Sequence, residues 1–145
     1  MEDPYRLRRF VDAQNLDGRY QEVISELRTG RKSGHWMWYV FPQVKGLGQS
    51  WMANEYAIGS LAEAQAYIAH PVLGPRLIEC VRLLLAIDGK SAADVFGSLD
   101  AMKLRSSMTL FSRADSQQAV FHQVLDRYFQ CSEDPETIRR LGSGE

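Results

Sequence analysis

The chain has 145 residues, of which 45% are hydrophobic and 24% charged, and it carries a formal net charge of −1. That length predicts one domain over residues 1–145 with its core at about 5–141, and a chain of this size can bury about 70% of its unfolded surface. The near-neutral balance argues against a dedicated nucleic-acid binder, which carries a clear basic excess.

Cys80 and Cys131 are too few for a secreted disulfide scaffold. No apolar h-region follows the acidic start Met1-Glu2-Asp3-Pro4. The longest apolar runs, Trp36–Phe41 and Leu83–Ile87, are too short to span a bilayer. These features predict a reduced, cytoplasmic protein with no membrane segment.

Asp3-Pro4 looks like a helix start, an acidic N-cap followed by proline at N1. Leu7, Phe10, Val11 and Gln14 recur at helical spacing, which puts a glutamine on the apolar face; a buried amide needs partners, so Gln14 either satisfies backbone groups or lines a site. Asp17-Gly18 is a turn. Tyr20, Val23, Ile24 and Leu27 predict an amphipathic helix, and Gly30 is its natural C-cap. The arginines and lysine from Arg6 to Lys32 interleave with Asp12, Asp17, Glu22 and Glu26, the pattern of a solvated helix face.

The stretch His35-Trp36-Met37-Trp38-Tyr39-Val40-Phe41-Pro42-Gln43 is the most apolar and aromatic run and holds two of the three tryptophans. Exposed, it would form a large apolar patch, so it must run through the interior. Its composition favours a strand, but no second strand is present to pair with it, and an unpaired strand leaves its backbone groups unsatisfied. It therefore reads as a short buried helix, which must end by Phe41 because the residue before a proline is pushed out of the α region.

Val44–Gln49 is a glycine loop, and Ser50 caps a short helix through Trp51, Met52 and Tyr56. Ser60-Leu61-Ala62-Glu63 matches a capping box, and His70-Pro71 stops the helix that follows. Pro71 or Pro75 then starts a helix apolar nearly all round, from Leu77 to Ile87, closed by Asp88-Gly89. Ser91 and Asp94 cap a short helix that stops at Gly97. Ser98 opens a helix from Leu99 to about Arg113 with Ala101, Leu104, Met108 and Phe111 on one face and Leu99, Met102 and Leu110 on the other, which predicts burial of most of it. Asp115 caps the next helix, with its stripe Val120, Phe121, Val124, Leu125, Tyr128 and Phe129; Asp134-Pro135 starts the last, and Gly142-Ser143-Gly144 frays. The whole is an all-α, multihelical domain.

Chemistry is sparse. His35, His70 and His122 are far apart and no Cys-x-x-Cys pair exists, so no metal site or cofactor is expected. The Gly46-Leu47-Gly48 loop lacks the third glycine of a dinucleotide fingerprint and the lysine position of a phosphate loop, and a plain turn is the simpler reading. Lys103 and Ser107, four apart on one helix, could form a base and nucleophile. In a packed helix the hydroxyl more simply bonds the i−4 carbonyl while the lysine snorkels. Trp36, Trp38 and Tyr39 could wall a pocket for a planar ligand or simply fill the core.

The motifs Arg9-Phe10 with Ala13-Gln14, His35–Gln43, Gly46-Leu47-Gly48, Tyr56-Ala57-Ile58, His70–Gly74 and Lys103–Phe111 resemble an uncharacterised, mostly bacterial family catalogued as domain of unknown function 1810. The resemblance covers about Tyr5 to Leu141. It implies helices wrapped around a short central buried helix, and it supplies no catalytic residues. Some members carry the label calpastatin, a class of disordered inhibitors, whereas this sequence is patterned for a core.

Three functions are compatible with these residues. The first is a small-molecule binding or catalytic pocket beside the buried segment, lined by Gln14, His35, Trp36, Trp38, Gln43, Lys103 and Ser107. The second is a non-enzymatic protein-interaction module, using the Arg6–Lys32 region with Trp51 and Tyr56 as aromatic anchors. The third is a weak nucleic-acid binder.

Overall fold

The computed structural model describes residues 3–143. Met1 and Glu2 of the acidic start, and Gly144 of the fraying end, lie outside them. The first helix, α1 (Arg8–Asn15), begins later than the Asp3-Pro4 signal suggests. Arg6 has a positive φ of 53°, so the chain turns there and cannot be continuously helical. Asp3 still acts as the cap, from further away: its carboxylate accepts from the amides of Leu7 (2.8 Å) and Arg8 (3.0 Å).

A one-turn 3-10 segment at Leu16–Gly18 leads into α2 (Arg19–Thr29), which buries Val23, Ile24 and Leu27 and ends at Gly30 with φ 79°. The aromatic run folds as α3 (Met37–Val40) and leaves the helix at Phe41, as Pro42 demands. Met37, Tyr39, Val40 and Phe41 are all buried. Beyond Pro42 the backbone groups find one partner segment. Ile58 donates to the Gln43 carbonyl (2.9 Å) and accepts from the Lys45 amide (2.8 Å), an isolated parallel bridge between Val44 and Ile58. Among the described residues no longer strand forms, and the fold is all-helical.

Ser50 caps α4 (Trp51–Glu55) through the Ala53 amide. Ser60 caps α5 (Leu61–Ala69), accepting from the Glu63 amide, but the capping box is not reciprocal. The Glu63 carboxylate takes the Gly59 amide instead (2.9 Å) and pairs with Arg9. Neither proline starts α6 (Leu73–Leu85). His70 does so: its Nδ1 accepts from the amides of Val72 (3.1 Å) and Leu73 (3.2 Å), a side-chain cap that sequence periodicity does not reveal.

Gly74, in the first turn of α6, lies against the end of α5, and a Cβ there would fall well inside contact distance of the Ile68 carbonyl oxygen. Gly74→Ala is therefore expected to destabilise the protein by about 1–3 kcal/mol, because backbone rather than a flexible side chain must give way. Urea denaturation checks this, with Gly142→Ala as the control. A methyl at Gly142 meets nothing within 4 Å, and stability there should hold or rise.

Ser91 and Asp94 form the full capping box of α7 (Ala92–Phe96). After Gly97 comes α8 (Ser98–Ala114), which packs against α5, α7 and α9 (Ala119–Phe129) and against α10 (Pro135–Ser143). Gln118, not Asp115, caps α9; the Asp115 carboxylate accepts from Gln117 within its own turn. Gly142 and Ser143 remain helical. The core is one cluster running from Leu7 to Leu125. Helix α8 departs from its predicted burial, because Leu99 and Met102 are 69% and 67% exposed. Among the described residues no element covers that face of its first turns.

Candidate functional site

Two residues apart on a helix, side chains point to roughly opposite sides. Trp36, which precedes α3, goes inward: its ring packs tilted against Phe41 and edge-on to Phe96, and its indole donates to Glu26 Oε1 (2.9 Å). Trp38 is half-buried and faces outward, with the Lys103 ammonium 5.1 Å from its ring centroid. Together Trp38 and Lys103 form the divide between two clefts.

The first cleft, of about 550 Å³, is walled by Trp38 and Gln43, the loop Leu47–Ser50, Leu99 and Met102 of α8, and the start of α10. The glycine loop is thus a wall; Gly46, at φ 98°, lies under the Arg140 guanidinium. On the α10 side the charges are committed. Arg105 donates to Ser132 and to the Glu133 carbonyl. Asp134 accepts from Ser106 (2.9 Å) and the Thr137 amide (3.2 Å); burial pushes its carboxyl up, but these bonds outweigh that and hold it below the ordinary range. Glu136 pairs with Arg139 and Arg140. The uncharged part of the lining includes Trp38, Leu47, Leu99, Met102 and Gln43. The second cleft, of about 440 Å³, shares Trp38, Leu99 and Lys103 and adds Lys32, His35 and Asp100.

Of the seven residues predicted to line a pocket, the fold brings His35, Trp38, Gln43 and Lys103 to these clefts. Gln14, Trp36 and Ser107 lie in the interior. Gln14 has structural partners: its Nε2 donates to the Tyr39 carbonyl (2.7 Å) and to the Tyr67 hydroxyl (3.4 Å), and its Oε1 accepts from Arg76 (3.2 Å). Ser107 is fully buried and its Oγ has no hydrogen-bond partner among the described residues, Lys103 included. Lys103 pairs instead with Asp100 at 3.4 Å. Leu47, Leu99, Met102, Lys32 and Asp100 were not expected here. The two-faced apolar pattern of α8 carried the signal for Leu99 and Met102, but it reads equally as core.

No group of three or more metal-ligating side chains occurs among the described residues. His35 is in the second cleft, His70 caps α6, and the exposed His122 lies 3.3 Å from Asp126. Burial pushes the Cys80 thiol up to about 12, which keeps it protonated and inert in the core. Four of the seven Arg6–Lys32 cations are in ion pairs: Arg6 with Glu55, Arg8 with Asp12, Arg9 with Glu63 and Lys32 with Asp100. Tyr56 is half-buried against Phe10 and Tyr39 and offers no exposed anchor, whereas Trp51 is 71% exposed.

The features define a class: an all-helical protein built around a buried aromatic helix, with an apolar cleft at one side of it. No helix among the described residues is long and apolar enough to cross a membrane. The chain belongs to the family described as "Protein of unknown function (DUF1810)", whose signature matches residues 4–141. It is similar to a solved structure, the conserved hypothetical protein Rv1873 of Mycobacterium tuberculosis, with 50% identity and a TM-score of 0.93 over 97% of this chain and 99% of that one. No curated protein matches.

Proposed function

We propose that the protein binds a planar, largely apolar small molecule in the cleft beside Trp38. One observation carries this. The Trp38 indole, with the Lys103 ammonium over its ring, fronts a cleft of about 550 Å³ whose neighbouring walls are the exposed Leu99 and Met102. Ligand sites are concave, mostly apolar and provided with a few fixed polar groups; here Gln43 and Lys103 are those groups. Apolar side chains as exposed as Leu99 and Met102 stabilise nothing by burial in the free protein. A ligand would cover them. The chain acts as one unit in the cytoplasm on this reading, a setting that suits its two free cysteines.

A thermal-shift screen of metabolites, followed by titration of the hits, tests the proposal. Trp38→Ala is expected to weaken any hit by tenfold or more, about 1.4 kcal/mol. A hit that binds Trp38→Ala as well as wild type would place its site elsewhere.

A second reading, docking of a protein partner, is favoured by one observation. Trp51, between the cleft residues Ser50 and Ala53, is itself exposed, and aromatic anchors dominate interfaces. Trp51→Ala would weaken such a partner while leaving a ligand stacked on Trp38 in place.

A further inference from the structure

We propose that the second cleft is an anion subsite, taking the phosphate or carboxylate of a ligand whose ring lies on Trp38. The inference rests on the reading of the first cleft given above and adds the ligand's charge. Lys32, His35, Asp100 and Lys103 are the titratable side chains that line this cleft. Both lysines share one carboxylate: Lys32 Nζ is 2.8 Å from Asp100 Oδ2, and Lys103 Nζ is 3.4 Å from Oδ1. With two ammoniums on one carboxylate, the group keeps a net charge of about +1 even with His35 neutral.

This is not the charge of a solvated surface. The Lys32 side chain is only 7% exposed and is fixed further by donating to the Gly34 carbonyl. An ammonium withdrawn from water and held in place gives a field that a counter-ion can use, because desolvation strengthens it. Lys103 is 22% exposed; its ammonium reaches one Asp100 oxygen and looks into both clefts. An anion at Lys103 therefore sits within a short linkage of a ring on Trp38, since the ammonium is 5.1 Å from that ring's centroid. At the α10 end of the first cleft the charges of Arg105, Asp134 and Glu136 are held in bonds and pairs of their own, so among the described residues the ammonium free to meet an anion is at the Lys103 end. The charge distribution thus gives a bound ligand one orientation, ring toward α10 and acid toward Lys32. The chemistry required is a flat ring joined closely to a phosphate or a carboxylate.

The test is an amide chemical-shift titration of the full chain with four probes: phenyl phosphate, benzoate, benzyl alcohol and inorganic phosphate. The three aromatic probes share a ring and differ in charge. We expect the anionic pair to bind at least tenfold tighter than benzyl alcohol, with shifts at Lys32, His35 and Asp100, and the stronger of the two identifies the acid. That preference should shrink as salt is added to the wild type. It should collapse in Lys103→Met and persist in Lys103→Arg. Equal binding of all three ring probes, unchanged by salt, overturns the subsite and leaves the Trp38 site standing. Binding of inorganic phosphate at Lys32 and Lys103 without any of the ring probes supports the subsite and removes the ring site. If none of the four probes shifts these amides, the subsite is overturned.

Discussion

Replacing Arg9 by alanine is expected to cost about 3–5 kcal/mol of stability, the range for breaking a buried ion pair from one side. The Arg9 and Glu63 side chains are only 11% and 8% exposed, and Nη2 lies 3.0 Å from the Glu63 carboxylate. The guanidinium also donates to the Glu55 carbonyl (2.9 Å), the Ala57 carbonyl (2.8 Å) and the Arg6 carbonyl (3.1 Å), and it covers the Phe10 ring at 4.4 Å. One side chain thus ties α1 to the end of α4 and the start of α5. Its loss leaves Glu63 charged and buried, with the Gly59 amide as its remaining main-chain donor outside its own helix. Arg9→Lys should also destabilise, since a single ammonium cannot reach carbonyls in several directions. The double change Arg9→Met with Glu63→Met should recover a large part of the loss, because no charge is then left unpaired. Urea midpoints measure all three. A loss below about 1 kcal/mol for Arg9→Ala would show that the pair is solvated in solution.

Glu26 is the second sensitive position. Its Oε1 accepts three bonds, from the amides of Ser33 (2.7 Å) and Gly34 (3.0 Å) and from the Trp36 indole (2.9 Å). These bonds shape the loop that delivers the chain to α3. Glu26→Ala removes the acceptor and leaves the buried Trp36 indole without it; a loss of about 2–4 kcal/mol is expected, since each unmet buried donor costs about 1–3 kcal/mol. Glu26→Gln keeps an oxygen in place but loses the charge, and should cost less. The two differ from wild type in pH dependence as well. Partial burial pushes the Glu26 carboxyl up from 4.5, but the Gly34 and Ser33 amides and the Trp36 indole outweigh this and hold it lower. A carboxyl lower in the folded state than in the unfolded chain stabilises the fold above the unfolded value. That contribution fades as the pH falls from the ordinary value of 4.5 through the lower folded one. Wild type should therefore lose stability over that acid window more steeply than Glu26→Gln. Parallel stability–pH curves for the two would refute the assignment.

Much of the helix pattern was legible because its signals are local. Helices α2 and α9 carry apolar stripes, α4 and α7 have serine caps, and α2 ends at a left-handed glycine. The errors fall where a side chain acts out of register. Asp3 caps a helix that starts five residues later, at Arg8, because Arg6 turns the chain first. The imidazole of His70 takes the starting role that two nearby prolines suggested. Glu63 leaves its box for Arg9, which is distant in sequence and adjacent only in the fold.

The candidate site was half legible. Polar residues at the ends of an aromatic run pointed to His35, Trp38 and Gln43, and helical spacing alone could not separate Trp38, which faces a cleft, from Trp36, which Glu26 draws inward.

The sequence by itself determined that the aromatic run holds a short, largely buried helix ending before Pro42, because its apolar content must leave water, no second strand is present to pair with it, and the proline stops it. Only the tertiary structure decided which side of that helix stays open. Among the described residues nothing packs over Leu99 and Met102, so the outward face of Trp38 meets a cleft instead of a core. The gathering of Lys32, Asp100 and Lys103 beside it was decided at the same level, since charges distant along the chain interact only once folding sets their separation in space.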